Sequence, residues 1–100
     1  MMRIKTNELS GAALDWAVAK CEGVVYHGPA WTKYSTDWAQ GGPIIEREKT
    51  AIKENGYGHW FAKVGAGKWM HGPTPLIAAM RCYVASKLGD YIDIPEELTP

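Results

Sequence analysis

The segment GPTPLIAAMRCYVASKLGD, residues 72–90, constrains the fold more than any other part of the chain. Thr74 is a residue type that caps helix N-termini, Pro75 suits the first helical position, and Gly89 is a typical C-terminal stop. Apolar residues recur between them at the spacing of one helical face: Leu76, Ala79, Met80, Tyr83, Val84 and Leu88. The segment therefore predicts a long helix whose apolar stripe packs against a sheet.

A β-hairpin is predicted immediately before this helix. In GHWFAKV, the side chains of Trp60, Ala62 and Val64 alternate with those that would face the other way, as in a strand with one buried face. The GAG sequence at residues 65–67 makes a tight turn, and KWMH returns as the second strand. The hairpin would supply the sheet for the last helix.

The first part of the chain predicts a second helix, capped by Thr6 and stopped at Gly23. A short β-prone run follows at residues 24–27, and a turn at residues 28–29 exposes Trp31. The sequence ends in an extended tail, DYIDIPEELTP. We expect an α+β fold in a single domain over residues 1–100: a small sandwich of an antiparallel sheet or hairpin covered by an N-terminal and a C-terminal helix.

The stretch KYSTDWAQGGPIIERE predicts an interrupted structure. Ser35 or Thr36 would cap a short turn, and Pro43 would begin a further helix over residues 44–49. Glycine costs a helix about 1 kcal/mol and an internal proline roughly 3 kcal/mol, so the Gly-Gly-Pro sequence at residues 41–43 predicts a break. We interpret this break as shaping a corner of the protein that faces a ligand.

Composition narrows the classes of partner. Eleven basic and eleven acidic side chains cancel, so the chain lacks the uniform positive field that draws proteins to duplex DNA or anionic membranes. Binding to nucleic acid would need a local patch. No apolar run approaches the roughly 18–20 residues of a membrane span, and the opening MMRIKTNELSG lacks the apolar core of a secretory signal. We expect a cytosolic protein that does not bind membranes.

The aromatic and sulfur-containing residues have a simple structural interpretation. Five tryptophans and five tyrosines accompany one phenylalanine, and we expect Trp16, Trp60 and Trp69 to belong to the core. Cys21 and Cys82 are two isolated thiols, which in a reducing compartment behave as small core residues.

Three long blocks of the sequence carry a family resemblance: GAALDWAVAKCEG, YSTDWAQGGPIIERE and GPTPLIAAMRCYVASKLGD. They resemble the blocks of the NinX family, small proteins encoded by lambda-type phages and prophages, and the resemblance covers nearly the whole chain. The order of elements is also similar to that of a phage domain described as an α/β/α sandwich. The resemblance implies a cytosolic phage accessory protein. It implies no reaction, because the function of most family members is unknown.

The sequence does not indicate an enzyme. Candidate acid-base groups are three histidines and three acids: His27, His59, His71, Asp37, Glu46 and Glu48. Their spacing does not bring any pair together on a helix or strand, and neither C-x-x-C nor H-x-x-x-H occurs. The GAGK sequence lacks the following helix of a phosphate-binding loop. We expect no catalytic residues, no metal and no cofactor.

A binding site fits the residue types better. The YSTD sequence offers a stacking plane, small hydroxyls and an acceptor, while Thr74 opens a helix whose N-terminal amides attract phosphate or carboxylate. The predicted ligand-binding residues are Trp31, Tyr34, Ser35, Thr36, Asp37, Trp38, Thr74 and Arg81. The alternative is that the hydroxyls and the acid only cap helices.

Two functions from different classes follow. The first is a non-enzymatic binder of a small anionic, nucleotide-like ligand, and the phage context suggests a nucleotide signal of host defence. The second is an adaptor that grips a host or phage protein through exposed aromatic side chains, Trp31, Trp38 and Tyr57. We also expect a homodimer or a higher symmetric oligomer, because a neutral surface offers little charge repulsion between copies.

Overall fold

The last helix is the element against which most others pack. The structure is a computed structural model that describes residues 1–99. Pro100, the end of the predicted tail, lies outside the described residues. In chain order the elements are β1 (Met2–Lys5), α1 (Gly11–Glu22), α2 (Trp38–Glu48), β2 (Ala51–Glu54), β3 (Trp60–Lys63), β4 (Met70–Gly72), α3 (Pro75–Leu88) and β5 (Tyr91–Ile94). Short 3-10 turns lie at Thr6–Glu8 and Glu96–Leu98.

Two antiparallel sheets flank the helices. One has the strand order β2-β3-β4, and the other is a ribbon of β1 and β5 in which Met2 pairs with Ile94. The core between sheets and helices is built from fully buried side chains such as Leu9, Leu14, Val18, Met80 and Val84. The α+β prediction is confirmed. No helix within residues 1–99 has the length and apolar character to cross a membrane.

The last helix and the hairpin follow the prediction closely. Thr74 is the N-cap of α3, where its Oγ1 accepts a hydrogen bond from the amide of Ile77 at 3.1 Å. Gly89 ends the helix with a φ of 89°, a backbone conformation that suits glycine. Strands β3 and β4 pair around the predicted turn, and Ala62 faces the core with no exposed surface.

The start of the first helix differs from the prediction. Helix α1 begins at Gly11 after Ser10, and Thr6 lies one turn earlier in a 3-10 turn. Thr6 is fully buried, and its hydroxyl donates to the carbonyl of Gly89 at 2.7 Å, so it holds the end of α3 instead of capping α1. The predicted stop at Gly23 is confirmed, with a φ of 72°.

The β-prone run at residues 24–27 does not form a strand. The side chains of Val24 and Val25 are exposed, and no neighbouring strand pairs with this run among the described residues. The backbone of His27 instead donates to Thr32 Oγ1 at 2.9 Å, which closes a loop. β-propensity alone does not make a strand where there is no apolar face to bury against a partner.

The predicted break at residues 41–43 is wrong, because α2 runs without interruption through Pro43. Gly41 is buried where α2 meets α3, and a Cβ added there would lie 2.4 Å from the carbonyl oxygen of Tyr34 and 2.6 Å from Leu76 Cδ1. Gly42 stands before the proline, where a residue with a Cβ is disfavoured in helical conformation. The glycines therefore serve a close contact and a proline within a helix, not a break.

Two of the three tryptophans that were expected in the core pack against it, and the third does not. Trp16 and Trp60 are half-buried and pack on the core, but Trp69 is 40% exposed, and its assignment to the core is wrong. Cys82 is buried and Cys21 is half-buried, and both are free thiols. Burial raises the pKa of the Cys21 thiol to about 11.

A polar cluster joins the three helices. The guanidinium of Arg47 on α2 donates to the Glu22 carboxylate of α1 at 3.0 and 2.7 Å, and Tyr83 of α3 donates its hydroxyl proton to the same carboxylate. The bonds from Arg47, opposed by burial and aided by the bond from Tyr83, lower the pKa of Glu22 below 4.5. The ionised carboxylate therefore stabilises the folded protein.

The Glu22 cluster predicts a pH dependence of stability. Because the folded-state pKa lies below the unfolded value of 4.5, the contribution is present above that pH and is lost as the pH falls through the folded pKa. Glu22→Gln should lower the free energy of unfolding by about 1 kcal/mol at neutral pH, with a difference that shrinks as the pH falls below 4.5. Urea denaturation across this range measures it. Glu46→Gln, on the exposed face of the same helix as Arg47, is the control; equal effects of both variants at every pH would contradict the prediction.

Candidate functional site

The loop before α2 is held in place by a buried carboxylate. Residues 33–37 form a tight turn in which the amides of Thr36 and Asp37 both donate to the carbonyl of Lys33. Asp15 on α1 accepts a hydrogen bond from the Ser35 amide at 2.8 Å. Burial raises the pKa of the Asp15 carboxyl, while the contacts from Ser35 oppose that rise. In the sequence, the contact between Asp15 and Ser35 is indicated only by the presence of an acid among the apolar residues of α1.

Two helices begin beside this turn. Asp37 is the N-cap of α2, and its Oδ1 accepts from the Ala39 amide at 2.9 Å. Thr74 is the N-cap of α3. The sequence predicted a cap at Ser35 or Thr36, and the structure assigns that role to Asp37.

A surface cavity of about 200 Å³ lies between the turn and the starts of both helices. Its walls contain three hydroxyl-bearing residues and three apolar ones: Ser35, Thr36, Thr74, Trp38, Leu76 and Ile77. Four of the eight predicted ligand-binding residues, from two distant segments of the sequence, therefore lie on one cavity. The apolar walls at Leu76 and Ile77 were missed, because the periodicity of the last helix assigned Leu76 to the core stripe.

The Ser35 hydroxyl lies behind the wall of this cavity and is closed to solvent. Ser35 is only 2% exposed, and no donor or acceptor within residues 1–99 meets hydrogen-bond geometry with its Oγ. The hydroxyl lies close enough to Asp15 to lower the pKa of that carboxyl, yet without a hydrogen bond of normal geometry. A buried polar group without a partner costs about 1–3 kcal/mol, so such groups in a folded protein call for an explanation.

The other predicted site residues lie elsewhere. Trp31 is 77% exposed in the loop, where its carbonyl accepts from the side-chain amide of Gln40 at 2.9 Å. Tyr34 is half-buried and packs on the core. Arg81 is 9% exposed and donates from Nε to the Leu9 carbonyl at 2.7 Å and from a terminal nitrogen to the His71 carbonyl at 2.9 Å. The Arg81 guanidinium is therefore hydrogen-bonded within the protein and does not line the cavity.

One pair of candidate acid-base residues does meet. His59, the residue before β3, and His71, on β4, approach each other with 3.1 Å between Nε2 of the first and Nδ1 of the second. This proximity follows from strand pairing and not from sequence spacing. Neither histidine lines the cavity. Within residues 1–99 no three histidines, cysteines or acids cluster as metal ligands would.

Comparison with known families gives one finding. A family model described as Bacteriophage P22, NinX matches residues 5–87, which include the turn, the three helices up to Lys87 and all six residues of the cavity. No curated protein matches the chain.

Proposed function

The chain belongs to the NinX family of bacteriophage proteins, and from this premise we propose that it is a phage accessory protein that binds a small anionic, nucleotide-like ligand without turning it over. The proposed site is the cavity between the turn at residues 33–37 and the start of α3. The convergence of Ser35, Thr36 and Thr74 on one cavity, from two distant segments of the chain, is the observation that carries the proposal.

The start of α3 supports an anion-binding role for the cavity. The first amides of a helix have no partner within it, and the helix dipole places partial positive charge at that end. In the first turn of α3, Pro75 has no amide proton and the Ile77 amide donates to Thr74 Oγ1. The Leu76 amide is therefore the first-turn donor that a ligand can use. Together with the exposed Thr36 hydroxyl, this amide can bind a phosphate or carboxylate oxygen.

The start of α2 is less suited to an anion. Asp37 already places a carboxylate at its first amides, and a second negative charge would be repelled there. We therefore assign the anionic group of the ligand to the Thr74 side of the cavity, and an apolar or planar part to the side of Trp38 and Ile77. Trp38 is 53% exposed, which leaves its ring accessible for stacking.

The size of the cavity limits what enters it. Ligand pockets usually measure about 300–1,000 Å³, and this cavity measures about 200 Å³. One part of a nucleotide fits within, and the remainder would lie on the surface. The six lining residues include no histidine, cysteine, lysine or acid, so the cavity offers no general acid or base. This supports binding without turnover, and in a phage such a protein would act by sequestering a nucleotide signal of host defence.

Two substitutions separate capping from ligand binding. Thr74→Ala should lower the free energy of unfolding by about 1 kcal/mol, the usual loss for an N-cap. Thr36→Ala removes an exposed hydroxyl on the cavity wall and should leave stability nearly unchanged. Both should weaken ligand binding, measured by calorimetry with inorganic phosphate and nucleoside mono- and diphosphates at a temperature where circular dichroism shows folded protein.

Ligand retained through purification provides an independent readout, as excess absorbance near 260 nm or by mass spectrometry after denaturation. Trp31→Ala is the control, because Trp31 is exposed outside the cavity. If Thr36→Ala and Thr74→Ala bind every candidate as tightly as the parent, the turn and the helix start are structural caps and the proposal fails.

An adaptor function is the second candidate, supported by the exposed aromatic side chains of Trp31 and of Tyr57, which is 92% exposed. In that case Trp31→Ala or Tyr57→Ala would abolish capture of one host or phage protein, and Thr36→Ala would leave it unchanged.

A further inference from the structure

The outer face of the β2-β3-β4 sheet carries aromatic and basic side chains. Its inner face packs on α3 through residues such as Ala62 and Met70. On the outer face the strand register places Lys53, Phe61 and His71 side by side across the sheet. The His59 ring lies against both Phe61 and His71, with centroids 6.0 and 5.3 Å away.

Trp69 joins this row from the turn before β4. It is 40% exposed, and the ammonium groups of Lys53 and Lys63 lie 4.3 and 5.1 Å from its ring centroid. Both distances are within the range of cation-π attraction. An open groove of about 360 Å³ runs between Phe61 and Trp69 and is bordered by Lys53, Glu54 and Asn55.

The aromatic and basic surface continues beyond Trp69. A second cavity of about 290 Å³ shares Trp69 as a wall, and its other lining residues include Lys5, Lys68, Asp90 and Tyr91. Tyr91 in turn lies under the guanidinium of Arg3, at 5.5 Å from the ring centroid. Three exposed or half-exposed rings thus follow one another along the surface, each with a cation beside it.

We propose that this surface binds single-stranded nucleic acid. Proteins that bind single strands combine rings on which unpaired bases stack with cations that track the phosphates, and both are present here. Phe61 and Trp69 are the stacking residues, and Lys53 and Lys63 the phosphate contacts. The lysine side chains are long and flexible, so their ammonium groups can move from the Trp69 ring to a phosphate as a base takes the ring face.

Two of the acids near this surface are already engaged. The Glu54 carboxylate accepts from the amides of Gly56 and Gly58, both at 2.7 Å, and thus closes the β2–β3 turn. Asp90 is ion-paired with Lys68 at 3.0 Å. The ammonium groups of Lys53 and Lys63 lie over an aromatic ring and not at a carboxylate. Local charge thus favours phosphate although the whole chain is neutral.

The test is fluorescence anisotropy with labelled oligomers of about 12 nucleotides, poly(dT) and poly(U). We expect binding at about 50 mM salt that weakens towards 200 mM. Trp69→Ala and Phe61→Ala should each weaken it by about fivefold or more, as loss of one stacked base does, and Trp69→Phe should restore part of it. Lys53→Gln with Lys63→Gln, a pair of surface changes compatible with folding, should reduce the slope of log affinity against log salt by about 0.7 per phosphate contact.

Trp31→Ala is the matched control, an exposed tryptophan that lines neither the groove nor the second cavity. It should bind oligomers like the parent. The proposal is overturned if neither oligomer binds at low salt, or if the lysine pair and both aromatic variants bind unchanged. Equal affinity for a duplex of the same length, or binding of a protein partner through Trp69 in place of oligomers, would also overturn it.

Discussion

Gly41→Ala is expected to destabilise the protein by about 2–3 kcal/mol, in the upper part of the range for overpacked sites. The added Cβ would lie 2.4 Å from the Tyr34 carbonyl oxygen and 2.6 Å from Leu76 Cδ1. Leu76 can turn aside at some cost, but the Tyr34 oxygen belongs to the backbone of the turn that forms the candidate site. Relief therefore requires α2 to move away from that turn, and the cavity would change shape with it.

The adjacent glycine provides a matched control in the same helix. A Cβ at position 42 would meet only the Trp38 ring, at an ordinary 3.8 Å. Alanine is a better helix former than glycine, but the gain is offset because this residue precedes a proline. We expect Gly42→Ala to change stability by less than about 1 kcal/mol. Urea denaturation of both variants measures the difference, and equal effects would show that close packing at Gly41 is not limiting.

The second large effect is expected at Arg81. Its guanidinium connects α3 to the segment before α1 through the Leu9 carbonyl and to β4 through the His71 carbonyl. Burial lowers the pKa of Arg81, which reflects the cost of holding its charge inside. Arg81→Met removes that cost but leaves the Leu9 and His71 carbonyls without their donor. Each unsatisfied carbonyl lowers stability by about 1–3 kcal/mol. We expect a net loss of about 2–4 kcal/mol.

Arg81→Lys separates charge from geometry. Lysine carries the same charge but not the planar fork that serves two carbonyls at once, so it should recover only part of the loss. Thermal unfolding followed by circular dichroism compares the variants, with Arg3→Met, an exposed arginine, as the control. If Arg81→Met unfolds at the same temperature as the parent, the two hydrogen bonds contribute little to stability.

The parts of the fold that were predictable from sequence depend on local chemistry. Thr74, Pro75 and Gly89 define α3 through caps and backbone preferences that act within one turn. By contrast, the sequence pattern predicted that Gly41 breaks a helix. The requirement for glycine at this position comes from close packing against Leu76, which is distant in the sequence, and a local pattern does not contain that contact. Strand β2 was missed for a similar reason: AIKE shows no clear alternation, and its strand character comes from pairing with β3.

The candidate site shows the same division. The residue types at Ser35, Thr36 and Thr74 indicated polar helix starts, but only tertiary packing brings them to one cavity. Arg81 was assigned to the ligand from its charge and helical position. Its actual partners are backbone carbonyls, which no side-chain pattern encodes. Trp69 was assigned to the core from its size, whereas the hairpin geometry turns it outward.

The ribbon of β1 and β5 has a consequence for the order of folding during synthesis. Ile4 pairs with Ile92, and the Thr6 amide donates to the carbonyl of Asp90 at 2.8 Å, so the first strand has no partner until the residues of β5 have been made. At typical rates of translation this delay is on the order of ten seconds. Helix α1 and the hairpin contain local contacts and can form earlier, whereas closure of the ribbon is the late step. Arg3 and Lys5 place charge on the waiting strand, and such charges protect an unpaired edge from joining other chains.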